Sequence, residues 1–476
     1  MRSGALLVIG VVALAIPGCS EPTVPNFNSP TVEAAGSDPS SLQLLATGIL
    51  SQLRATVTGE DLSTGILGRE AFNYTPTEGR NTTHYLSAPN GILDPSGFAV
   101  GNFTGPYNNS RNIFNFLDVV ANAPLTQAQK DAASGFAKTV EALEFISVVT
   151  TRDTIGAVVQ VMSNPADLAP FVSLDSAYKY ISGRLDEAAA ELTSAGATPF
   201  PFVLTAGFAG FNTPANFLKV NRAIAARVYA YRGSISANRP SAGISCATCY
   251  ASALTAIGAS FFDPAASALN AGPFHTYSTS TGDAQNTLFF NATGDIMAHP
   301  SIRADAPLKA DGTRDNRLIA KVDTNTALHN PSPDATNGIP SNMRFRMYPD
   351  RNAGIKIITN EELYLLRAEA RWFTGDKTGA IADIDFIRAS SGGLAASALT
   401  VASSDAAFID ELLLQRRYSL LFQGFRWNDL RRFNRLATLP LDRPVHTIAK
   451  VMPIPQGECL IRANQTTPAM RGPGCA

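Results

Sequence analysis

Apolar residues set the first boundaries in this chain. Leu42, Leu45, Ile49 and Leu53 recur at helical spacing and predict a helix over 41–57, with Asp38 or Ser40 as its N-cap. Between 59 and 107 the period breaks into short pieces punctuated by Gly, Pro and Asn, the pattern of a loop-rich excursion. Helical spacing returns over 110–121, over 126–150 through Phe136, Val140, Leu143 and Ile146, and over 173–194 through Tyr178, Ile181, Leu185 and Leu192. Two more helices are predicted over 213–231 and 250–262. In the first of these Pro214 sits in the opening turn, where its missing N–H costs nothing.

From 264 to 357 the period is lost again, with strand-like pieces only at 287–290 and 343–347. A loop of that length inside a compact domain implies a packed irregular subdomain rather than free chain. At 358 the helical signals become sharp. Thr359 and Glu362 are spaced as a capping box, Ile358 and Leu363 as its hydrophobic staple, Gly375 as the stop, and Asp376 as the cap of a second helix ending near Arg388. The last long helix begins at 405, with Phe408, Ile409, Leu412, Leu413, Leu420 and Leu421 on its apolar stripe. Arg416 falls close to that stripe. A buried guanidinium needs an acidic or carbonyl partner, and Glu369, Glu362 and Asp429 are the expected partners of Arg416 or Arg417.

The predicted fold is mainly α, with helices coming in couples and few short strands. Ala223, Ala226 and Ala230 place small residues at one seam and large apolar ones at another, as tetratricopeptide-like stacking requires. Hydrophobic residues make up 45% of the 476 and charged ones 16%, which excludes general disorder. With a formal charge of −1 and no basic arm, nucleic acid is not an expected partner.

The N-terminus and the cysteines set the expected compartment. Arg2 precedes an apolar run over 5–16, short of the ~20 residues a membrane span needs and typical of a signal peptide. Ile16-Pro17-Gly18-Cys19 resembles a bacterial lipobox, giving a signal peptide over 1–18, a lipidated Cys19, and a Pro- and Ser-rich tether over 19–40 before a single domain over 41–476. Cys246, Cys249, Cys459 and Cys475 remain. In an exported protein the even number favours disulfides, with three connectivities possible and local pairing expected. A zinc site at Cys246 and Cys249 is the alternative, weakened by the lack of a nearby His.

The C-terminal third carries a family resemblance. Arg416, Arg417, Leu420, Phe422, Gly424, Arg426, Trp427, Asp429, Leu430 and Arg431 resemble the signature of the SusD/RagB family of surface lipoproteins. Leu366 to Ala370, Asp315-Asn316-Arg317-Leu318 and Pro453-Ile454-Pro455 resemble further family segments. Gln415, Ser419 and Gln423 stand where the family carries Glu, so ion pairs at those positions cannot form as in the family. The resemblance implies a SusD-like helical scaffold and an outer-membrane lipoprotein facing the cell exterior. It also implies binding of an oligosaccharide or related nutrient, delivered to a SusC-like TonB-dependent transporter, with no cofactor and no catalysis. A tetratricopeptide-like surface scaffold binding a protein or peptide is the second reading.

No sequence constellation points to an enzyme. The five histidines, at 84, 275, 299, 329 and 446, lie singly, and HExxH, G-x-S-x-G, phosphate-loop and dinucleotide patterns are missing. Sugar binding asks instead for aromatic faces beside planar amide, carboxylate and guanidinium groups. Tyr74, Arg80, Asn81, His84, Tyr85 and Tyr107, with Asn102 and Asn108, supply these in the first excursion, and Phe274, His275 and Tyr277 form a second candidate cluster.

Overall fold

The computed structural model describes residues 39–331 and 338–475. The expected signal peptide, Cys19, the N-cap candidate Asp38 and all but the last two residues of the expected tether lie outside them. Helix α1 (Pro39–Ala55) opens the described chain and is followed at once by α2 (Val57–Leu67) and strand β1 (Ala71–Asn73). Then come α3 (Arg80–Leu86), α4 (Thr104–Asn122), α5 (Gln127–Arg152), α6 (Leu174–Ala195), α7 (Pro214–Asn238) and α8 (Cys249–Gly258). The irregular region holds β2 (Phe274–His275), β3 (Ile296–Ala298), α9 (Ser301–Ala304), α10 (Asn316–Lys321), β4 (Val322–Asp323), β5 (Arg344–Phe345) and β6 (Ile355–Lys356). The C-terminal part holds α11 (Asn360–Phe373), α12 (Lys377–Ile387), α13 (Asp405–Ser419), α14 (Phe425–Arg432), α15 (Gln456–Ile461) and α16 (Pro468–Arg471).

Each long helix packs on the next. α1 lies on α4, and contacts run from α4 to α5, α6, α7, α8, α11 and α12 in order, giving a mainly α ladder of helical couples. Among the described residues the strands pair only as two-stranded antiparallel units, β1 with β3, β2 with β6 and β4 with β5. Two hydrophobic cores result, one within the ladder and one beneath the irregular region. α11 is the wall between them. Leu363, Leu366 and Ala370 enter the ladder core, while Leu365, Ala368 and Trp372 enter the other, so two stripes at spacing three and four share one helix.

Several expected elements change in the structure. α2 falls inside the stretch expected to be loop, because Thr58, Asp61, Ser63, Thr64 and Gly65 make up most of its buried face and fully buried large apolar residues join it only at Ile66 and Leu67. At Gly65 an added Cβ would meet the Phe422 ring at 2.9 Å, so the small residue admits that ring. α4 starts six residues before the expected 110, with Pro106 inside its first turns. The 287–290 piece is a turn, not a strand, and of 343–347 only Arg344–Phe345 pairs as a strand. Ser40 lies within α1 and does not precede it.

The capping box at Thr359 is half formed. Thr359 Oγ1 accepts from the Glu362 N–H at 3.2 Å, but the Glu362 carboxylate takes Arg227 of α7 at 2.7 and 2.6 Å. Arg416 Nε donates to Asp429 at 2.7 Å, an expected partner, whereas Arg417 pairs with Asp305 and Ser301, each at 2.7 Å. Glu369 answers neither of them and pairs with Arg432. The positions lacking the family's Glu are occupied in another way. Arg317 is held by Asp315 at 2.6 Å and donates to Gln415 Oε1 at 2.7 Å and Ser419 Oγ at 3.0 Å. Cys246 is joined to Cys249 and Cys459 to Cys475, which leaves no thiolate there for zinc.

Candidate functional site

A cleft of about 270 Å³ opens where β1, the end of β3 and β5 meet the turn over 287–291. Antiparallel pairing fixes its floor, with Asn73 opposite Ile296 and Phe72 opposite Met297. The Tyr74 N–H extends the pairing to the Asp295 carbonyl at 2.9 Å. Asn73 Oδ1 accepts from the Thr75 N–H at 3.3 Å and from Thr75 Oγ1 at 2.8 Å. Asn291 Oδ1 does the same for Thr293, at 3.1 Å each. These turns tie down each amide oxygen and leave each amide NH₂ unbonded among the described residues.

The cleft has other sugar-compatible groups. Arg344 spends Nε on the Gly294 carbonyl at 3.0 Å and Nη1 on the Ala327 carbonyl at 3.1 Å, so Nη2 is left. Burial pushes the Arg344 guanidinium below its ordinary value, against the pull of Asp295 and Asp323. Asp295 supplies a half-buried carboxylate with His329 at 3.7 Å. Phe289 lines the cleft, its ring held by the Arg351 guanidinium 4.8 Å from its centre. Phe345 also lines the cleft but is buried against Phe422, which leaves the Phe289 ring, two amide donors, one guanidinium and one carboxylate to stack on a sugar ring and bond its hydroxyls. They offer no nucleophile–base pair within hydrogen-bond reach. Among the described residues no cluster of His, Cys, Asp and Glu is placed to hold a metal.

The residues singled out from sequence are dispersed. Tyr74 is wholly buried beside the cleft, donating to the Ile339 carbonyl at 2.6 Å and stacked on Phe72 and His329, so it cannot stack on a ligand. Tyr85 is also buried, its hydroxyl within 3.2 Å of Ser63 and donating to the Phe98 carbonyl at 2.9 Å. Arg80 is exposed, ion-paired with Glu78, and lies 4.7 Å above the Phe98 ring, with His84 5.7 Å from that ring and half-buried Asn81 on the same helix. Tyr107 and Asn108 line a second cleft. Phe274 is half-buried under Lys356, and Tyr277 is buried with its hydroxyl donating to the Arg54 carbonyl at 3.2 Å.

Asn73, Phe289, Asn291, Asp295 and Arg344 were not singled out. The Asn-x-Thr spacing at Asn73 and Asn291, which places an amide beneath the N–H two residues on, is the signal that would have found two of them.

This helical scaffold, with its irregular half and Arg-rich closing segment, is that of a SusD-like protein. Residues 361–452 match the SusD family, and the fold is shared with proteins of the SusD superfamily. A SusD superfamily protein from Bacteroides vulgatus is 14% identical, with a TM-score of 0.64 over 90% of this chain and 97% of its own. Surface glycan-binding protein A from Bacteroides thetaiotaomicron, in complex with laminarihexaose, is 13% identical with a TM-score of 0.65, over 90% and 98%. Its namesake from Bacteroides fluxus is 14% identical with a TM-score of 0.63, over 92% and 100%. Among curated protein sequences none matches. No helix among the described residues is long and apolar enough to cross a membrane.

Proposed function

We propose that this protein is a cell-surface lipoprotein, anchored through Cys19 to the outer membrane, that binds an oligosaccharide and delivers it to a TonB-dependent transporter. It acts without a cofactor and without catalysis. The observation that carries the reading is the cleft at Asn73, Phe289, Asn291, Asp295 and Arg344, which joins free planar donors to one aromatic ring on a SusD-like scaffold. The likeness to a surface glycan-binding protein in complex with laminarihexaose supports the ligand class. The lipobox at Ile16-Pro17-Gly18-Cys19 supports the anchor.

Two measurements test the reading. Titration of the purified protein against a panel of oligosaccharides should give saturable heat with at least one member, and silence across the panel would count against glycan binding. Crosslinking in cells followed by purification in mild detergent should bring down a large outer-membrane barrel protein. Its consistent absence would remove the delivery step and leave the binding step standing.

A further inference from the structure

Arg344 of β5 lines the oligosaccharide cleft and is only 3% exposed. A buried guanidinium is costly unless a charge or a full set of hydrogen bonds answers it. Other buried arginines of this fold meet that condition. Arg227, Arg317, Arg416 and Arg432 each meet a carboxylate at 2.6 or 2.7 Å, and Arg69 and Arg152 give both terminal nitrogens to carbonyls. Arg344 does neither among the described residues. Its Nε and Nη1 go to carbonyls, Nη2 has no partner, and Asp295 and Asp323 act on it only from beyond ion-pair distance. Both carboxylates are engaged elsewhere, Asp295 with His329 at 3.7 Å and Asp323 with the Asn325 N–H at 3.0 Å.

The cleft gathers further donors beside that guanidinium. Gly294, whose carbonyl takes Arg344 Nε at 3.0 Å, also lies against Asn291, and a Cβ at Gly294 would stand 3.1 Å from Asn291 Nδ2. Asn73 stands opposite Ile296, two residues further on. The turns at Thr75 and Thr293 hold both amide oxygens and leave both NH₂ groups to a ligand. The lining therefore offers three NH₂ groups against the single carboxylate of Asp295, with the Phe289 ring beside them. A sugar hydroxyl brings no charge to offset the guanidinium. A carboxylate or sulfate accepts from every such donor and neutralises it as well.

We propose that the oligosaccharide held in this cleft is acidic. One of its sugar rings stacks on Phe289 and carries an anionic group, a uronate carboxylate or a sulfate ester, that accepts from Arg344 Nη2 and from the Asn73 and Asn291 amides. Asp295 is left to accept from a neighbouring hydroxyl. The proposal rests on the oligosaccharide reading of the cleft and adds the charge of the ligand to it.

Isothermal titration of the intact protein tests it with tetragalacturonate and tetramannuronate, each beside its carboxyl-reduced counterpart, and with a sulfated galactose tetrasaccharide beside its desulfated form. At least one acidic sugar should bind saturably, and its neutral counterpart should bind about tenfold more weakly or worse. The pair that shows the difference tells carboxylate from sulfate. Only the ligand changes in this comparison, so misfolding cannot mimic the effect. Asn291→Asp keeps the oxygen that holds Thr293 and sets a carboxylate where an NH₂ stood. It should weaken the acidic sugar about tenfold and its neutral counterpart less, with an unchanged thermal midpoint. Equal binding within every pair overturns the proposal, as does an equal effect of Asn291→Asp on both sugars of a pair, or binding of a neutral sugar when no acidic one binds. Any of these results leaves the oligosaccharide reading standing. Silence with all sugars, acidic and neutral, overturns that reading and the proposal with it.

Discussion

Glu369 on α11 and Arg432 on α14 form a bidentate ion pair, at 2.6 and 2.8 Å, with both side chains wholly buried. Arg432 Nε also reaches Asp429 at 2.8 Å, and Asp429 takes Arg416 of α13 at 2.7 Å. Burial raises the Asp429 carboxyl, but Arg416 and Arg432 outweigh it and hold the group below the usual carboxylate range. One chain of charges thus ties together the three helices that carry the family segments.

Glu369→Gln would leave Arg432 buried with one carboxylate fewer. Breaking a buried pair by removing one partner costs ~3–5 kcal/mol, so the urea midpoint should drop clearly. The double variant Glu369→Gln with Arg432→Met should cost less than the sum of the two singles, because no orphaned guanidinium remains. An unchanged midpoint for Glu369→Gln would show that the pair does not brace α11 against α14.

Gln415 invites the opposite test. Its Oε1 accepts from Arg317 and its Nε2 donates to Glu411 Oε1, both at 2.7 Å. Restoring the family's residue with Gln415→Glu deletes that donor and sets a second carboxylate against Glu411 in a fully buried position. We expect a loss of ~1–3 kcal/mol, larger at pH 8 than at pH 5, measured by thermal denaturation. A gain in stability would mean that Arg317 has charge to spare beyond Asp315.

Glu144 sets a pH dependence. It lines a cleft of about 150 Å³ together with Glu60 and Asp61, and burial pushes its carboxyl up from 4.5 to about 7, against a 2.6 Å hydrogen bond from Asn109. Burial also raises Glu70 to about 7, against Arg426 and Arg417. The folded state therefore holds these protons more tightly than the unfolded chain. The stabilisation is whole below pH 4.5 and is lost as pH rises through 7. The urea midpoint should fall between pH 5 and pH 8, and Glu144→Gln should flatten part of that slope. An equal slope in the variant would exclude Glu144 as a contributor.

The ladder was legible in the sequence because its helices bury large apolar side chains at a regular interval, as Phe136, Val140 and Tyr178 do. α2 was not, since most of its buried face is small or polar, with Gly65 admitting the Phe422 ring, and its fully buried apolar residues, Ile66 and Leu67, stand together at its end rather than at helical spacing. The fate of Glu362 was hidden for a different reason. Its local spacing fits a capping box, and only the folded chain brings Arg227 from 135 residues away to claim the carboxylate. The same limit applies to the oligosaccharide cleft. Tyr74 and Tyr85 share a loop-rich stretch with true surface residues, but β1 pairing and the Ile339 and Phe98 carbonyls draw both rings inward. Asn73 is brought beside Asn291 by the pairing of β1 with β3 across more than two hundred residues, and Arg344 reaches the same turn through its bond to the Gly294 carbonyl.

The account stands most directly on the oligosaccharide cleft. Isothermal titration with the panel member of highest affinity should show saturable binding by the unmodified protein. Phe289→Ala, which removes the stacking ring, should weaken it about tenfold or more, with Tyr107→Ala unchanged because that ring lies in the other cleft. Undiminished affinity in Phe289→Ala, or a loss confined to Tyr107→Ala, would contradict the placement of the sugar at β1 and β3.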